Sequence, residues 1–187
     1  MHKDPAMYSR TVVLVLATLL LVPAAFADQS AMPYAGQQTR AIKALSADEI
    51  AALLNGEGMG LAKAAELNSY PGPAHFLTLA QQLKLTDKQR QQVQKIFDWM
   101  SAAAKPLGAE LVERERVLDR LFAKGEITPD RLTAETEAIA ELQGRLRCTH
   151  LAAHLETRAL LSADQIALDQ QLRGYGSPAE RTHHHHG

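Results

Sequence analysis

One stretch of the sequence constrains the fold more than any other. Between Thr86 and Lys124, apolar side chains recur at spacings of three and four residues. This spacing predicts one amphipathic helix of about 38 residues with Thr86 as its cap, and Pro106 predicts a kink or break within it. A straight helix of that length measures about 57 Å, which exceeds the width of a compact domain of this size. We therefore expect an elongated or bent body.

The remaining segments also predict helices. A second long helix begins at Thr128-Pro129 and ends near Leu160, and no segment alternates in the manner of a β-strand, so we expect an all-α fold. Two long antiparallel helices with short ones at their ends form a thin layer that cannot bury both faces. The pattern thus predicts a concave exposed surface or a homodimer seam. The shorter predicted helices cover about 47–55, 61–67, 73–84 and 162–174.

Leu151 and Leu155 are candidates for the dimer seam. They lie on the side of their helix that faces away from the apolar stripe of Leu142 and Leu146. Exposed leucines on an otherwise polar face indicate a contact with a second chain.

The N-terminus has the pattern of a secretory signal at residues 1–27. Lys3 and Arg10 precede an uncharged run, and Ala25 and Ala27 occupy the small-residue positions of a cleavage site. We expect a mature chain that starts at Asp28, lies in a bacterial periplasm and has no stable membrane insertion after cleavage. An uncleaved signal that tethers the protein is the alternative.

The mature chain divides into three predicted parts. Residues 28–72 are expected to be a flexible leader with short helices, in which Gly56, Gly58 and Gly60 form a flexible joint. Residues 73–174 form the main helical domain. Residues 175–187 are expected to be a disordered tail, whose His183–His186 tract binds divalent metals loosely, whether it is native or a purification tag.

Charge and composition exclude several functions. A formal net charge of −1 provides no global field for nucleic acid or an anionic bilayer. No motif of a hydrolase or metalloprotease is present, so we expect no enzyme activity and no required cofactor. Cys148 is the single cysteine, which excludes an intrachain disulfide. We expect it to be buried, and an intermolecular disulfide is the alternative.

Three segments share the pattern Leu, hydroxyl, two residues, then Glu or Gln, at 45–49, 85–89 and 161–165. In this pattern the hydroxyl caps the helix, and the Glu or Gln side chain reaches back to the backbone amide of the cap residue. Simple helix capping accounts for each copy taken alone.

The second and third copies bracket the long helices and, with the signal and the helix order, resemble the Spy/CpxP family of periplasmic proteins. The resemblance covers about 100 residues, from 73 to 174, and Ser162 stands where the motif has Thr. It implies a four-helix, cradle-like antiparallel homodimer. Some members are ATP-independent chaperones or stress-response modulators, and relatives such as ZraP and CnrX bind zinc, nickel or cobalt. The motif residues are Leu85, Thr86, Gln89, Leu161, Ser162 and Gln165.

A chaperone would hold unfolded or damaged envelope proteins on an amphipathic surface of the long helix. Flexible arginine stems cover apolar client segments while their charges keep the complex soluble. A solvated face laced with ion pairs is the alternative for the same arginines. The candidates for this client-binding surface are Met100, Leu107, Leu111, Arg114, Arg116 and Arg120.

A metal-binding or metal-sensing function is the alternative to the chaperone. His150 and His154 lie four residues apart, so both imidazoles share one helix face and could give two ligands to Zn²⁺, Ni²⁺, Co²⁺ or Cu²⁺. A third ligand would come from His75, Met100, a carboxylate or another subunit. Two helix-edge histidines that hydrogen-bond or face water would give the same spacing, and a helical interaction module with neither property is a third reading.

Overall fold

The computed structural model describes residues 32–175, and this part of the chain is helical. Its only β-type pairing is an isolated bridge between Ile42 and Leu45. The predicted all-α fold is therefore confirmed, with four α-helices from Pro73 onward and two before them. The helices are α1 (Ala47–Asn55), α2 (Lys63–Glu66), α3 (Pro73–Thr78), α4 (Asp87–Ala123), α5 (Pro129–Ala159) and α6 (Ala163–Leu172).

The described residues from Gly36 onward form one compact unit. Residues 32–35 make a turn in which the Ala35 backbone N–H donates to the Met32 carbonyl over 2.8 Å. The predicted signal peptide, the predicted start at Asp28 and the His183–His186 tract lie outside the described residues. No helix within residues 32–175 is both long and apolar enough to cross a bilayer.

The two long helices pack along each other and bury the predicted apolar stripes. Leu107 and Leu111 of α4 share one hydrophobic cluster with Leu142 and Leu146 of α5. Helix α4 continues across Pro106 without a break. Of the expected kink or split, the split is therefore wrong, and the kink stays a prediction. Pro106 lies on an exposed side of α4, where water can satisfy the carbonyl group that loses its helical donor.

All three predicted capping boxes are present. Ser46 with Glu49, Thr86 with Gln89 and Ser162 with Gln165 each exchange the two expected hydrogen bonds at the starts of α1, α4 and α6. Thr128 caps α5 and Pro129 is its first residue. The helix starts therefore follow from local chemistry.

Residues 36–72 pack on the hairpin of α4 and α5, which differs from the flexible leader that we expected. Ile42 is 1% exposed and Leu53 is 4% exposed, and both belong to the hairpin's cluster. Gly108 of α4 lets α1 approach closely, since a Cβ there would lie 2.1 Å from the Leu53 carbonyl oxygen. Ile42 and Leu53 therefore anchor this segment to the hairpin.

The short helices α3 and α6 pack on the end of the hairpin where α4 begins and α5 ends, opposite the loop between them. Phe76 of α3, Leu83 and Val93 form a second cluster, against which Leu161 and Leu168 pack. The helix predicted for 73–84 ends earlier, at Thr78, and turns follow. This end of the hairpin holds both copies of the motif that begins α4 and α6.

Candidate functional site

The motif glutamines Gln89 and Gln165 meet at the end of the hairpin where α4 begins and α5 ends, opposite the loop between them. Gln89 Nε2 donates to Gln165 Oε1 over 2.9 Å, and Gln165 Nε2 donates to Gln89 Oε1 over 3.2 Å. Each Nε2 also donates to a backbone carbonyl, that of Leu160 for Gln89 and that of Leu83 for Gln165. The motif therefore joins the ends of three helices, which is a structural role.

The predicted apolar part of the client-binding surface is not on the surface. Met100, Leu107 and Leu111 are 7%, 9% and 5% exposed and belong to the core. This expectation is wrong because their spacing along α4 is that of the buried stripe, and the hairpin partner α5 covers it.

The three predicted arginines lie near carboxylates. Arg114 lies 3.5 Å from a carboxylate oxygen of Glu135 on α5, and Arg120 lies 3.2 Å from Glu113, which also binds Arg116. The hydrogen bond from Arg116 is the main cause that lowers the pKa of Glu113, so this carboxylate stays charged. This arrangement fits the alternative of a solvated face laced with ion pairs.

An open groove with apolar walls lies between α4 and α5, and all of its lining residues belong to these two helices. We call it the Trp99 groove; its volume is about 550 Å³, and Trp99 is 47% exposed. Cys148 lies in this groove and is exposed, so the expected burial of Cys148 is wrong. The lining residues are Trp99, Ala103, Pro106, Leu107, Glu110, Arg145, Cys148, Thr149 and Ala152.

Sequence reasoning missed the Trp99 groove although the signal was present. Trp99, Ala103, Pro106 and Glu110 repeat at spacings of four and three, one residue before the buried stripe of α4. A second stripe beside the first indicates a helix face that stays partly apolar outside the core.

The two predicted metal ligands, His150 and His154, share a buried site. They are 3% and 5% exposed. His154 Nδ1 lies 2.7 Å from the Tyr70 carbonyl oxygen, so Nδ1–H donates and Nε2 keeps its lone pair. His150 Nε2 is buried without a hydrogen-bond partner. Burial is the main cause that lowers the pKa of both imidazoles, and each is therefore neutral at neutral pH.

Other polar side chains surround this pair. The two histidines and Met100 line a pocket of about 290 Å³ together with His75 and Glu66. His75 lies 3.6 Å from Glu66, with which it pairs. Within residues 32–175 no three His, Cys, Asp or Glu side chains are arranged to hold a metal ion. His75 and Glu66 line the same pocket but are not arranged to bind a metal together with the pair, so a metal held by His150 and His154 would need further donors such as Met100 or water.

Buried charge adjoins the pocket at α6. Asp169 is fully buried, and burial raises the pKa of its carboxyl group, while Arg173 at 4.0 Å opposes that shift. Arg173 also donates to Glu66 over 3.0 Å. Sequence reasoning did not single out Asp169, because its spacing on a short helix gives no sign that it is buried.

The comparisons with known proteins agree with the motif geometry. A family model described as LTXXQ motif family protein matches residues 74–173, more than half of the chain, and the chain belongs to this family of Spy/CpxP-type proteins. Proteins of the family are typically periplasmic, and it is not a family of enzymes. No curated protein and no solved structure matches the chain significantly.

Proposed function

We propose that this LTXXQ family protein is a periplasmic, ATP-independent chaperone that holds unfolded or damaged envelope proteins in the Trp99 groove. The observation that carries the proposal is the exposure of Trp99 within a groove between the two long helices. A large aromatic side chain that is half exposed beside other apolar atoms offers contact area to many different apolar segments.

The rim of the groove suits a client that must stay soluble. Arg145 and Glu110 line it, so both signs of charge flank the apolar surface. Arginine can cover apolar client atoms with its stem and keep its charged end in water. Leu155, three residues after Ala152 of the lining, is 60% exposed.

A homodimer stays a prediction. Of the two leucines proposed for its seam, Leu155 is exposed and Leu151 is half-buried. A dimer that covers Leu155 would place its seam beside the Trp99 groove. Analytical ultracentrifugation of the protein and of Leu155→Glu tests this: monomers only in the variant support the seam, and a monomeric native protein contradicts it.

The test of the chaperone uses a reduced, aggregating client in the absence of ATP. We expect light scattering to fall when equimolar protein is present, and Trp99→Gln to lose most of that suppression. Phe122→Gln is the matched control, because Phe122 is an exposed aromatic residue that does not line the groove. Trp99 is the single tryptophan, so a blue shift of its fluorescence on client binding reports contact directly. No suppression by the native protein contradicts the proposal.

Metal binding is the second candidate, and the buried histidine pair favours it. His150 Nε2 lacks a hydrogen-bond partner, and the Tyr70 carbonyl fixes the His154 tautomer in the way that backbone carbonyls orient metal-binding imidazoles. Calorimetric titration of Zn²⁺ into protein without residues 183–186 distinguishes the candidates. Submicromolar binding that is lost in His154→Gln, without any client suppression, would favour the metal function.

A further inference from the structure

A second groove, larger than the Trp99 groove, lies between α1 and α5. Its volume is about 840 Å³, and it is separate from the Trp99 groove. The buried Leu53, Leu111 and Leu146 form its floor. More exposed apolar side chains also line it: Met59 is 48% exposed, and Leu45 and Leu61 are half-buried. We call it the α1–α5 groove. Its apolar base and polar edges are typical of a site that takes a segment of polypeptide.

Two glycines inside the long helices explain the shape of this face. Gly108 of α4 is needed by the fold, since a Cβ there would lie 2.1 Å from the Leu53 carbonyl oxygen of α1. Gly144 of α5 lines the groove, and a Cβ there would meet nothing within 4 Å. Glycine inside a helix costs about 0.5–1 kcal/mol relative to alanine. No internal contact of the described chain offsets that cost at Gly144.

Ala140, one helical turn before Gly144, also lines the groove. Small residues four apart on one helix face let another backbone approach closely. Gly108 of α4 already allows such a close approach by the backbone of α1. The groove therefore has room for a second segment to lie against α5, close to Gly144.

Charge selects the kind of segment. Asp48, Glu49 and Glu57 line the α1 side, and Arg147 is the one basic residue in the lining. Glu49 remains ionised, because hydrogen bonds from Ser46 lower the pKa of its carboxyl group. Arg40, outside the lining, also acts on Glu49. Within the lining, three carboxylates against one guanidinium leave an excess of negative charge beside an apolar base, which complements a cationic partner.

We propose that the α1–α5 groove binds a cationic amphipathic segment of a partner polypeptide. Its apolar side chains lie on Leu45, Met59 and Leu61, its backbone lies near Gly144, and its lysine or arginine side chains face Asp48 and Glu57. This inference does not depend on the chaperone proposal, because the two grooves share no lining residue.

The probe is a fluorescein-labelled amphipathic peptide of about 14 residues with leucines on one face and lysines beside them, compared with a glutamate version of the same peptide. Fluorescence anisotropy should show binding of the lysine peptide to the purified full chain, at least about tenfold tighter than the glutamate peptide. Equal binding of both peptides, or binding of neither, would overturn the proposal.

Two variants locate the site. Gly144→Trp should weaken the lysine peptide by about tenfold or more because its side chain fills the groove, and Gly144→Ala is the matched control that leaves most of the space. Asp48→Asn with Glu57→Gln should weaken it by about fivefold and reduce the salt dependence of binding. Circular dichroism verifies that each variant is folded.

Other occupants give different results. Binding that survives Gly144→Trp but is lost in Trp99→Gln belongs to the Trp99 groove and overturns the inference. Conversion of a dimer to monomers by Gly144→Trp in analytical ultracentrifugation assigns the groove to a second copy of this chain, and also overturns it. Loss of client suppression alone, with peptide binding intact, would affect only the chaperone proposal.

Discussion

Gln89 and Gln165 form a reciprocal pair of side-chain amides, in which each Nε2 donates to the other's Oε1. Each Oε1 also accepts from the backbone N–H of its own cap residue, Thr86 or Ser162, over 3.0 Å. One side chain thus caps its own helix and links it to another helix. This gives a physical reason for two copies of the motif. With one copy alone, the amide group of its glutamine would lack the partner that the second glutamine provides.

We predict that Gln89→Ala destabilises the protein by about 1–3 kcal/mol, because it leaves the Leu160 carbonyl and the Gln165 side chain without partners at a part-buried site. Urea denaturation measures this. A double-mutant cycle with Gln165→Ala should give a coupling energy of at least about 0.5 kcal/mol. Strict additivity would contradict the reciprocal pair.

Glu49→Ala is the matched control for this cycle. Glu49 completes the capping box of α1 with Ser46 in the same way. Its hydrogen bonds go to Ser46 and not to another helix, so the cost should be that of a cap alone, about 0.5–1 kcal/mol. A cost as large as that of Gln89→Ala would mean that the cap, and not the link between helices, accounts for the effect.

The sequence predicted the parts of the fold that local chemistry determines. The bounds of α1, α4 and α5 follow from a cap residue and a stripe of apolar residues, and each was predicted to within a residue or two. It did not predict how Ile42 and Leu53 pack, because that depends on contacts with residues more than 50 positions away. Pro106 does not split α4, because the cost of a proline within a helix falls where its face is open to water.

The same distinction applies to the candidate sites. His150 and His154 share one face as their spacing predicted, but their burial depends on Gly58 and Gly72, which come from a segment that we expected to be flexible. Met100 was placed on the surface because one amphipathic helix cannot reveal which side its partner covers.

We predict opposite effects of alanine at two glycines. Gly108→Ala should destabilise the protein by about 1–3 kcal/mol, because its Cβ displaces the Leu53 carbonyl and with it α1. Gly144→Ala should stabilise it by about 0.5–1 kcal/mol, since alanine favours the helix and meets no neighbour. Urea denaturation measures both, and Gly108→Ala should also expose residues 42–55 to proteolysis. Equal effects of the two substitutions would contradict the close packing of α1.

We predict that the buried histidines His150 and His154 make the protein less stable in acid. Their folded-state pKa lies below the ordinary value of 6.5, so the unfolded chain takes up protons first as the pH falls. The stability they contribute is complete above pH 6.5 and is lost progressively as the pH falls below it. Urea denaturation between pH 8 and 5 should show a smaller loss in His150→Gln than in the native protein. The same loss in both proteins would contradict a buried neutral imidazole.

Asp169 supplies a control of opposite sign. Burial raises its folded-state pKa above the ordinary value of 3.8, and Glu66 adds to this shift, while Arg173 and His75 oppose it. Protonation of its carboxyl group in acid therefore favours the folded state and offsets part of the loss caused by the histidines. Asp169→Asn removes this gain, and its stability should fall more steeply with acid than that of the native protein. A shallower fall would mean that the pairing with Arg173 dominates.

The exposure of Cys148 gives the last prediction, which links the cysteine to the Trp99 groove. Because Cys148 is exposed and lines this groove, a maleimide should label it in the folded protein as well as in urea. Cys148→Ser should change the free energy of unfolding by less than about 0.5 kcal/mol, as expected of a surface substitution.

A bulky maleimide on Cys148 should abolish most client suppression, because it occupies space beside Trp99 that the client would use. Methyl methanethiosulfonate, which adds only a thiomethyl group to the same sulfur, is the matched control and should leave most of the suppression intact. Trp99 fluorescence should also lose its client-induced shift in the bulky adduct alone. If the bulky adduct suppresses aggregation as well as the unlabelled protein does, clients bind elsewhere on the molecule and the Trp99 groove is not the holding surface.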